Sequence, residues 1–118
     1  MTTDRYDEIL AKQLIMNRQT WVALQGHGVT AQSQLQLEFS YDAPSRPAAE
    51  ALVSLVKDQT DYEVRVKAGG NFLRRKWRVE GATQSTAVSL EILDQWVTWM
   101  VTAGKEHDCD FDGWGALV

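Results

Sequence analysis

Residues 34–41 alternate strictly between polar and apolar side chains, and this alternation constrains the fold more than any other feature of the sequence. Because successive side chains of a strand point to opposite faces, one face of this strand is predicted to lie in a core and the other in solvent. A strand with one solvated face is typical of an antiparallel sheet. The side chains predicted for the solvated face are Gln34, Gln36, Glu38 and Ser40.

The elements on either side of this strand are predicted from capping residues, apolar spacing and turn signals. A leading helix over residues 4–24 ends at the glycines of Gly26-His27-Gly28. Ala68-Gly69-Gly70-Asn71 is a hairpin signal between two strands. The further elements are a helix over residues 45–58, strands over 62–67 and 72–81, a long helix over 86–107 and a last strand over 109–118.

This order is an extra helix followed by β-α-β-β-α-β, which predicts an α+β, ferredoxin-like split βαβ fold. We expect one domain over residues 1–118, with the leading helix in 1–28 and the β-α-β-β-α-β unit in 31–118. Right-handed crossovers place the two later helices on one face of a four-stranded antiparallel sheet, ordered last, first, third, second strand. The predicted core consists of Leu35, Leu37, Phe39, Tyr62, Val64, Val66, Trp77 and Val79 facing Leu52, Leu55, Leu93, Val97 and Met100.

Composition narrows the class of protein. The chain of 118 residues is 44% hydrophobic and 24% charged, which favours a globular domain over a disordered one. A net charge of -4 argues against wholesale nucleic-acid binding. With one cysteine, Cys109, no internal disulfide can form. We find no signal peptide and no membrane span, so we expect a cytoplasmic protein that does not enter a membrane.

The sequence predicts no catalytic residue, no metal site and no cofactor. Asp108-x-Asp110-x-Asp112-Gly113 matches the first half of a calcium loop, but its twelfth ligand would fall beyond residue 118. The same spacing is expected to place the three aspartates on one face of a strand. His27 and His107 lack second ligands at metal spacing. We therefore expect a protein that is not an enzyme.

Trp114 lies between Gly113 and Gly115 in the predicted last strand. Glycine weakens a strand and usually marks a bulge or a close backbone approach, so the sequence is expected to fix this indole in one place. Strict alternation from Phe111 puts Trp114 on the solvated face, unless a bulge at a glycine turns it inward or the leading helix covers it. We expect Trp114 to be partly accessible and close to Asp112 and Gln36.

An aromatic residue followed by Asp-Gly-Trp-Gly, at 111–115, stands on a last strand after a long helix. This motif and the element order of nearly the whole chain resemble the regulator of ribonuclease activity B family, which includes the bacterial protein inhibitor of ribonuclease E. The resemblance implies a cytoplasmic, non-enzymatic domain that acts by binding a protein, with a ribonuclease as the candidate partner. That inhibitor is strongly acidic, whereas the third strand here contains the basic run Arg74-Arg75-Lys76-Trp77-Arg78.

Two binding surfaces follow from these patterns. In the first, a protein partner docks on the open sheet face or on the last strand, near Asp112, Trp114 and Gln36. The alternative is a nucleic-acid or anionic-ligand site. It would be formed by Arg74, Lys76 and Arg78, which we expect to form charge stripes with the aspartates of the last strand. The missing aromatic platform on the open face disfavours an RNA-recognition surface. The oligomeric state is left open.

Overall fold

The computed structural model describes residues 4–70 and 75–116. They form an α+β fold with three helices, a four-stranded antiparallel sheet and a two-stranded sheet. Within these ranges, none of the helices is long and apolar enough to cross a membrane. The elements are α1 (Arg5–Gly26), β1 (Gln34–Leu35), β2 (Leu37–Ala43), α2 (Arg46–Gln59), β3 (Glu63–Gly70), β4 (Arg75–Ala82), β5 (Thr86–Ala87), α3 (Leu90–Lys105) and β6 (Asp110–Ala116).

Each helix begins after a polar side chain that accepts a backbone N–H at its first turn. Asp4 caps α1 and Ser45 caps α2, so both predicted helices are confirmed. The predicted start of α3 at Thr86 is wrong. Ser89 caps this helix by accepting the N–H of Ile92 at 3.1 Å, and Thr86 pairs instead with Leu35 in the two-stranded sheet.

The alternating segment 34–41 is divided into two strands rather than one. Its first part, β1, pairs with β5, and β2 pairs with β4 and β6. The change of partner falls at Gln36. Directly after it, the Leu37 N–H donates to the hydroxyl of the buried Thr83 at 3.1 Å, and the Thr83 N–H donates back to the Leu37 carbonyl at 2.8 Å. Gln36 itself is exposed, as predicted.

The order of the four-stranded sheet is β3-β4-β2-β6, which confirms the predicted strand order. Because β3 pairs with β4, the pairing expected from the glycine hairpin is also confirmed. Asn71 of that hairpin, and Phe72 and Leu73 of the next predicted strand, lie outside the described residues. Side chains of both α2 and α3 pack on the same sheet face, in one cluster with Phe39. We call the other sheet face the open face.

The core has two clusters. The larger lies between the sheet and α2 and α3, and the smaller lies around β1, with Leu24, Leu37 and Leu93 among its members. Most of the predicted core is buried, while Tyr62, Val66, Trp77 and Leu55 are partly buried at its edge. Trp96 and Trp114 contact both clusters. The two indoles meet edge to face, with centroids 6.0 Å apart, and so connect the two halves of the core.

Helix α1 lies beside α3 and β6. An ion pair joins Lys105 Nζ to Asp4 Oδ2 at 3.2 Å, and Asn17 Nδ2 donates to Asp94 Oδ1 at 3.0 Å. Since low-numbered residues of α1 meet high-numbered residues of α3, the two helices run antiparallel. Two buried residues of α1 are polar, Gln13 and Asn17. They interrupt a stripe of partly buried apolar residues on this helix that includes Leu10, Leu14 and Trp21.

Candidate functional site

Strand β6 contains a bulge beside Trp114. Ser40 of β2 stands opposite Gly113, but the next residue, Tyr41, stands opposite Phe111, so Asp112 is the extra residue. Gly113 has a φ of 150°, in the region that favours glycine. The bulge shifts the alternation, so that Phe111 and Trp114 both point to the helix-covered face. Of the alternatives left open by the sequence, the bulge that turns Trp114 inward is the one found, and strict alternation does not hold in β6.

Helix α1 holds the Trp114 indole. Its Nε1–H donates to Asn17 Oδ1 at 2.8 Å, and Asn17 in turn donates to Asp94 of α3. Asn17, in the middle of this chain of two hydrogen bonds, is fully buried, while Trp114 and Asp94 at its two ends are partly buried. Gln13 adds a third link, since its Nε2 donates to the bulge carbonyl of Asp112 at 3.3 Å. Trp114 remains partly exposed, in agreement with the expected accessibility.

A cavity of about 700 Å³ lies between α1 and the open face, and we call it the groove. Helix α1 contributes one side through Gln13, Met16 and Thr20, which recur at helical spacing. The sheet contributes the floor through all four strands. The residues from the sheet and its flanks include Gln36, Glu38, Ser40, Glu63, Arg65, Arg78, Glu80, Ala82, Asp112, Gly113, Trp114 and Gly115.

Part of the groove floor is formed by small residues, among them Ala82, Gly113 and Gly115. Gly115 has no atom within 4 Å of where a Cβ would stand, and its φ is not in the glycine region. Gly81 of β4, which is separated from β6 by β2, has no such space: a Cβ there would come within 2.6 Å of the Phe39 ring. The fold therefore requires glycine at 81. Neither space nor backbone conformation requires it at 115.

Arg78 crosses the floor of the groove from β4 to β6. Its guanidinium lies 2.9 Å from Asp42, 3.2 Å from Asp112 and 3.7 Å from Glu80. Burial by itself would lower the pKa of Arg78, but the hydrogen bond to Asp112 and the charges of Asp42 and Glu80 raise it above the ordinary value. The expected pairing between this strand and Asp112 is confirmed, and the positive charge of Arg78 is matched by carboxylates.

Of the predicted binding residues, Gln36, Asp112, Trp114 and Arg78 line the same groove. Lys76 is exposed on β4 outside it. Arg74 lies outside the described residues. Sequence analysis allowed for the leading helix covering Trp114, but it missed the residues of α1 that contribute to the site, namely Gln13, Met16, Asn17 and Thr20. Polar residues in the middle of an apolar stripe were the signal for Gln13 and Asn17.

The reactive side chains lie apart from the groove. Cys109 is buried, and this burial raises the pKa of its thiol to about 11, so the thiol is protonated at neutral pH. Asp108 stands in a turn with a φ of 60°, so the three aspartates do not share a strand face as expected. Over residues 4–70 and 75–116, no group of three His, Cys, Asp or Glu side chains is placed to hold a metal ion.

The family model described as regulator of ribonuclease activity B matches residues 14–116, a span that includes every strand and most of α1. The resemblance inferred from the Asp-Gly-Trp-Gly motif and the element order is thereby confirmed. A search of curated proteins finds no match to the chain.

Proposed function

Because the chain belongs to the regulator of ribonuclease activity B family, we propose that it is a non-enzymatic regulator that binds an endoribonuclease in the groove. The observation that carries this proposal is the open space above Gly115 in a strand that lines the groove. Glycine in a strand is unfavourable by about 0.5–1 kcal/mol relative to a residue with a side chain. A glycine that the fold does not require is typical of a site where another chain approaches closely.

The groove is also rigid enough for specific binding. Trp114 is fixed by the hydrogen bond to Asn17, and Asn17 is fixed by Asp94. A wall that is already ordered in the free protein loses little conformational entropy when a partner binds. Trp114 remains partly exposed and lines the groove, and partly exposed aromatic residues are frequent anchors of protein interfaces. These features support a protein partner.

The same arrangement does not favour the alternative, an anion or nucleic-acid site on β4. Phosphate binding requires cations that are free to replace counterions. Arg78 is already bound to Asp42 and Asp112, and Glu80 lies 3.6 Å from Arg65 and 3.7 Å from Lys67. An anion bound at Arg78, Arg65 or Lys67 would have to displace these carboxylates. We therefore propose the protein-binding function alone.

Two further expectations belong to this proposal. The strand order and the position of α2 and α3 on one sheet face support a ferredoxin-like frame, with α1 added at the β6 edge. A regulator of a ribonuclease would act where RNA is processed, which supports a cytoplasmic location. Neither expectation requires a cofactor.

Purified ribonuclease E provides the test. Binding is measured by titration calorimetry, and RNA cleavage is followed in the same mixtures. Met16→Lys places a charged side chain in the groove and should weaken binding about tenfold or more. Ile15→Lys is the matched control, because Ile15 is the neighbouring residue of α1, is 62% exposed and does not line the groove. It should leave binding unchanged.

If ribonuclease E neither binds nor changes its cleavage rate, the proposed partner is wrong. If it binds and the two lysine variants weaken binding equally, the groove is not the docking site. Melting of both variants with the unsubstituted protein would show that the comparison reports binding and not stability.

A further inference from the structure

We propose that the groove recognises a basic segment of its protein partner, with one arginine or lysine side chain held between Glu38 and Glu63 above Ala82. This inference rests on the proposed function and adds to it the chemistry of the segment that binds. It is carried by the placement of two carboxylates, by the ion pairs of the surrounding residues and by the apolar side of the groove.

The two glutamates flank one small residue in the same row of the sheet. Glu38 of β2 and Glu63 of β3 both stand opposite Ala82 of β4, so all three side chains point to the open face. Neighbouring strands are about 4.8 Å apart, which places the two glutamate backbones about 10 Å from each other with a methyl group between them. An ammonium or guanidinium group above Ala82 is within reach of both carboxylates.

These carboxylates are the unmatched charges of the groove. The two cations that line it are already paired, Arg65 with Glu80 and Arg78 with Asp112. Among the described residues, Glu38 and Glu63 form no ion pair, and both side chains are exposed. The row that contains them therefore presents negative charge to a partner. Such charge attracts a basic segment and repels an acidic one or a nucleic acid.

The rest of the groove fits a long basic side chain and the backbone that carries it. Glu38 stands opposite Gly115, so no side chain of β6 separates its carboxylate from an approaching chain. Met16 of α1 is 40% exposed and lines the groove together with Trp114. The flexible thioether of Met16 gives apolar contact to the methylene stem of lysine or arginine.

The experiment uses three synthetic twelve-residue peptides in which glycine alternates with arginine, with glutamine or with glutamate. Binding is followed by NMR through the Trp114 indole and Gly115 amide resonances at low salt. The arginine peptide should shift both resonances, and the other two should not. Glu38→Gln with Glu63→Gln should weaken arginine-peptide binding about tenfold, since it removes two charge-assisted contacts.

The control variant is Glu8→Gln with Glu106→Gln, which removes the same charge from exposed positions outside the groove. It should bind the arginine peptide as the unsubstituted protein does. Equal weakening in the two variants would show a general charge effect and overturn the proposal. Equal binding of the glutamine peptide, or shifts confined to resonances outside the groove, would overturn it as well.

The outcomes also separate this proposal from the proposed function. If the arginine peptide binds in the groove and ribonuclease E does not bind the protein, the recognition of a basic segment stands and the partner is another protein. If ribonuclease E binds through the groove but the Glu38→Gln, Glu63→Gln variant binds it equally well, the proposed function stands. The basic segment is then rejected.

Discussion

The two faces of the four-stranded sheet are made from alternate residues of the same strands, yet packing accounts for the residues of one face and not for all residues of the other. On the covered face, the Tyr41 ring contacts Phe39 and Phe111 edge to face, and its hydroxyl donates to the Met100 carbonyl at 2.7 Å. Each residue there has a packing reason. On the open face, Gly115 has none. The residues that packing leaves unexplained are the ones to examine for function.

The largest effect should come from the covered face. Phe39 contacts the rings of Tyr41, Tyr62 and Trp96, so Phe39→Ala removes a ring from the middle of an aromatic cluster. We expect the free energy of unfolding to fall by about 3–5 kcal/mol. Denaturant titration measures it. The neighbouring Ser40→Ala, on the open face, should change it by less than about 0.5 kcal/mol.

A loss below about 1 kcal/mol for Phe39→Ala would contradict the contrast between the two faces. It would mean that the covered face tolerates a cavity, which a closely packed core does not.

The second prediction concerns the connection between α1 and the sheet. Asn17→Ala removes the acceptor for Trp114 Nε1 and the donor to Asp94, at a site that is fully buried. We expect a loss of about 1–3 kcal/mol, because the indole N–H loses its partner at a partly buried site. Gln19→Ala, at an exposed position of the same helix, should be nearly neutral. Unfolding curves and the Trp114 indole resonance test both variants.

If Asn17→Ala unfolded at the same denaturant concentration as the unsubstituted protein and left the indole resonance in place, Trp114 would be held by packing alone. The groove wall would then not depend on α1.

The covered face could be predicted from the sequence, because alternation and helical spacing report burial directly. The strand order followed from the element order, and the buried face of β2 followed from its apolar residues. Three features could not be predicted. The division at Gln36 depends on Thr83, which is distant in sequence, and the start of α3 depends on a competition between Ser89 capping and Thr86 pairing.

The third feature is the orientation of Trp114. A bulge of one residue reverses the face of every later residue in a strand, and the sequence does not show where the extra residue lies. Glycines at 113 and 115 made both positions candidates, and the structure selects Asp112 beside Gly113. Because the groove needs both the bulge and α1, it could be predicted only in part, through Gln36, Asp112 and Arg78.

The third prediction tests the paired charges of the open face. Arg78→Gln breaks contacts to Asp42, Asp112 and Glu80. We expect a loss of about 1 kcal/mol or less at low salt, because partly exposed pairs contribute little, and a smaller loss at high salt. Lys12→Gln, on the exposed side of α1, is the control and should show no loss at either salt concentration. A salt-independent loss of several kcal/mol would make the open face a structural element like the covered one.

The smallest change in stability should accompany the clearest change in binding. Gly115→Val places a side chain in open space at an ordinary φ, so the free energy of unfolding should rise by about 0.5–1 kcal/mol, as valine suits a strand better than glycine does. Gly69→Val is the matched control. Gly69 also lies on the open face of an edge strand, its nearest contact is a carbonyl at 3.9 Å, and it lies outside the groove.

Both valine variants should be slightly more stable than the unsubstituted protein, and only Gly115→Val should weaken the binding of ribonuclease E and of the arginine peptide, because its branched side chain occupies the floor beside Glu38. Thermal melts and titration calorimetry on the same samples separate the two effects. Undiminished binding by a stabilised Gly115→Val protein would show that no partner approaches this backbone. Glycine at 115 would then have neither a packing nor a binding reason, and the contrast between the two sheet faces would no longer locate the docking site.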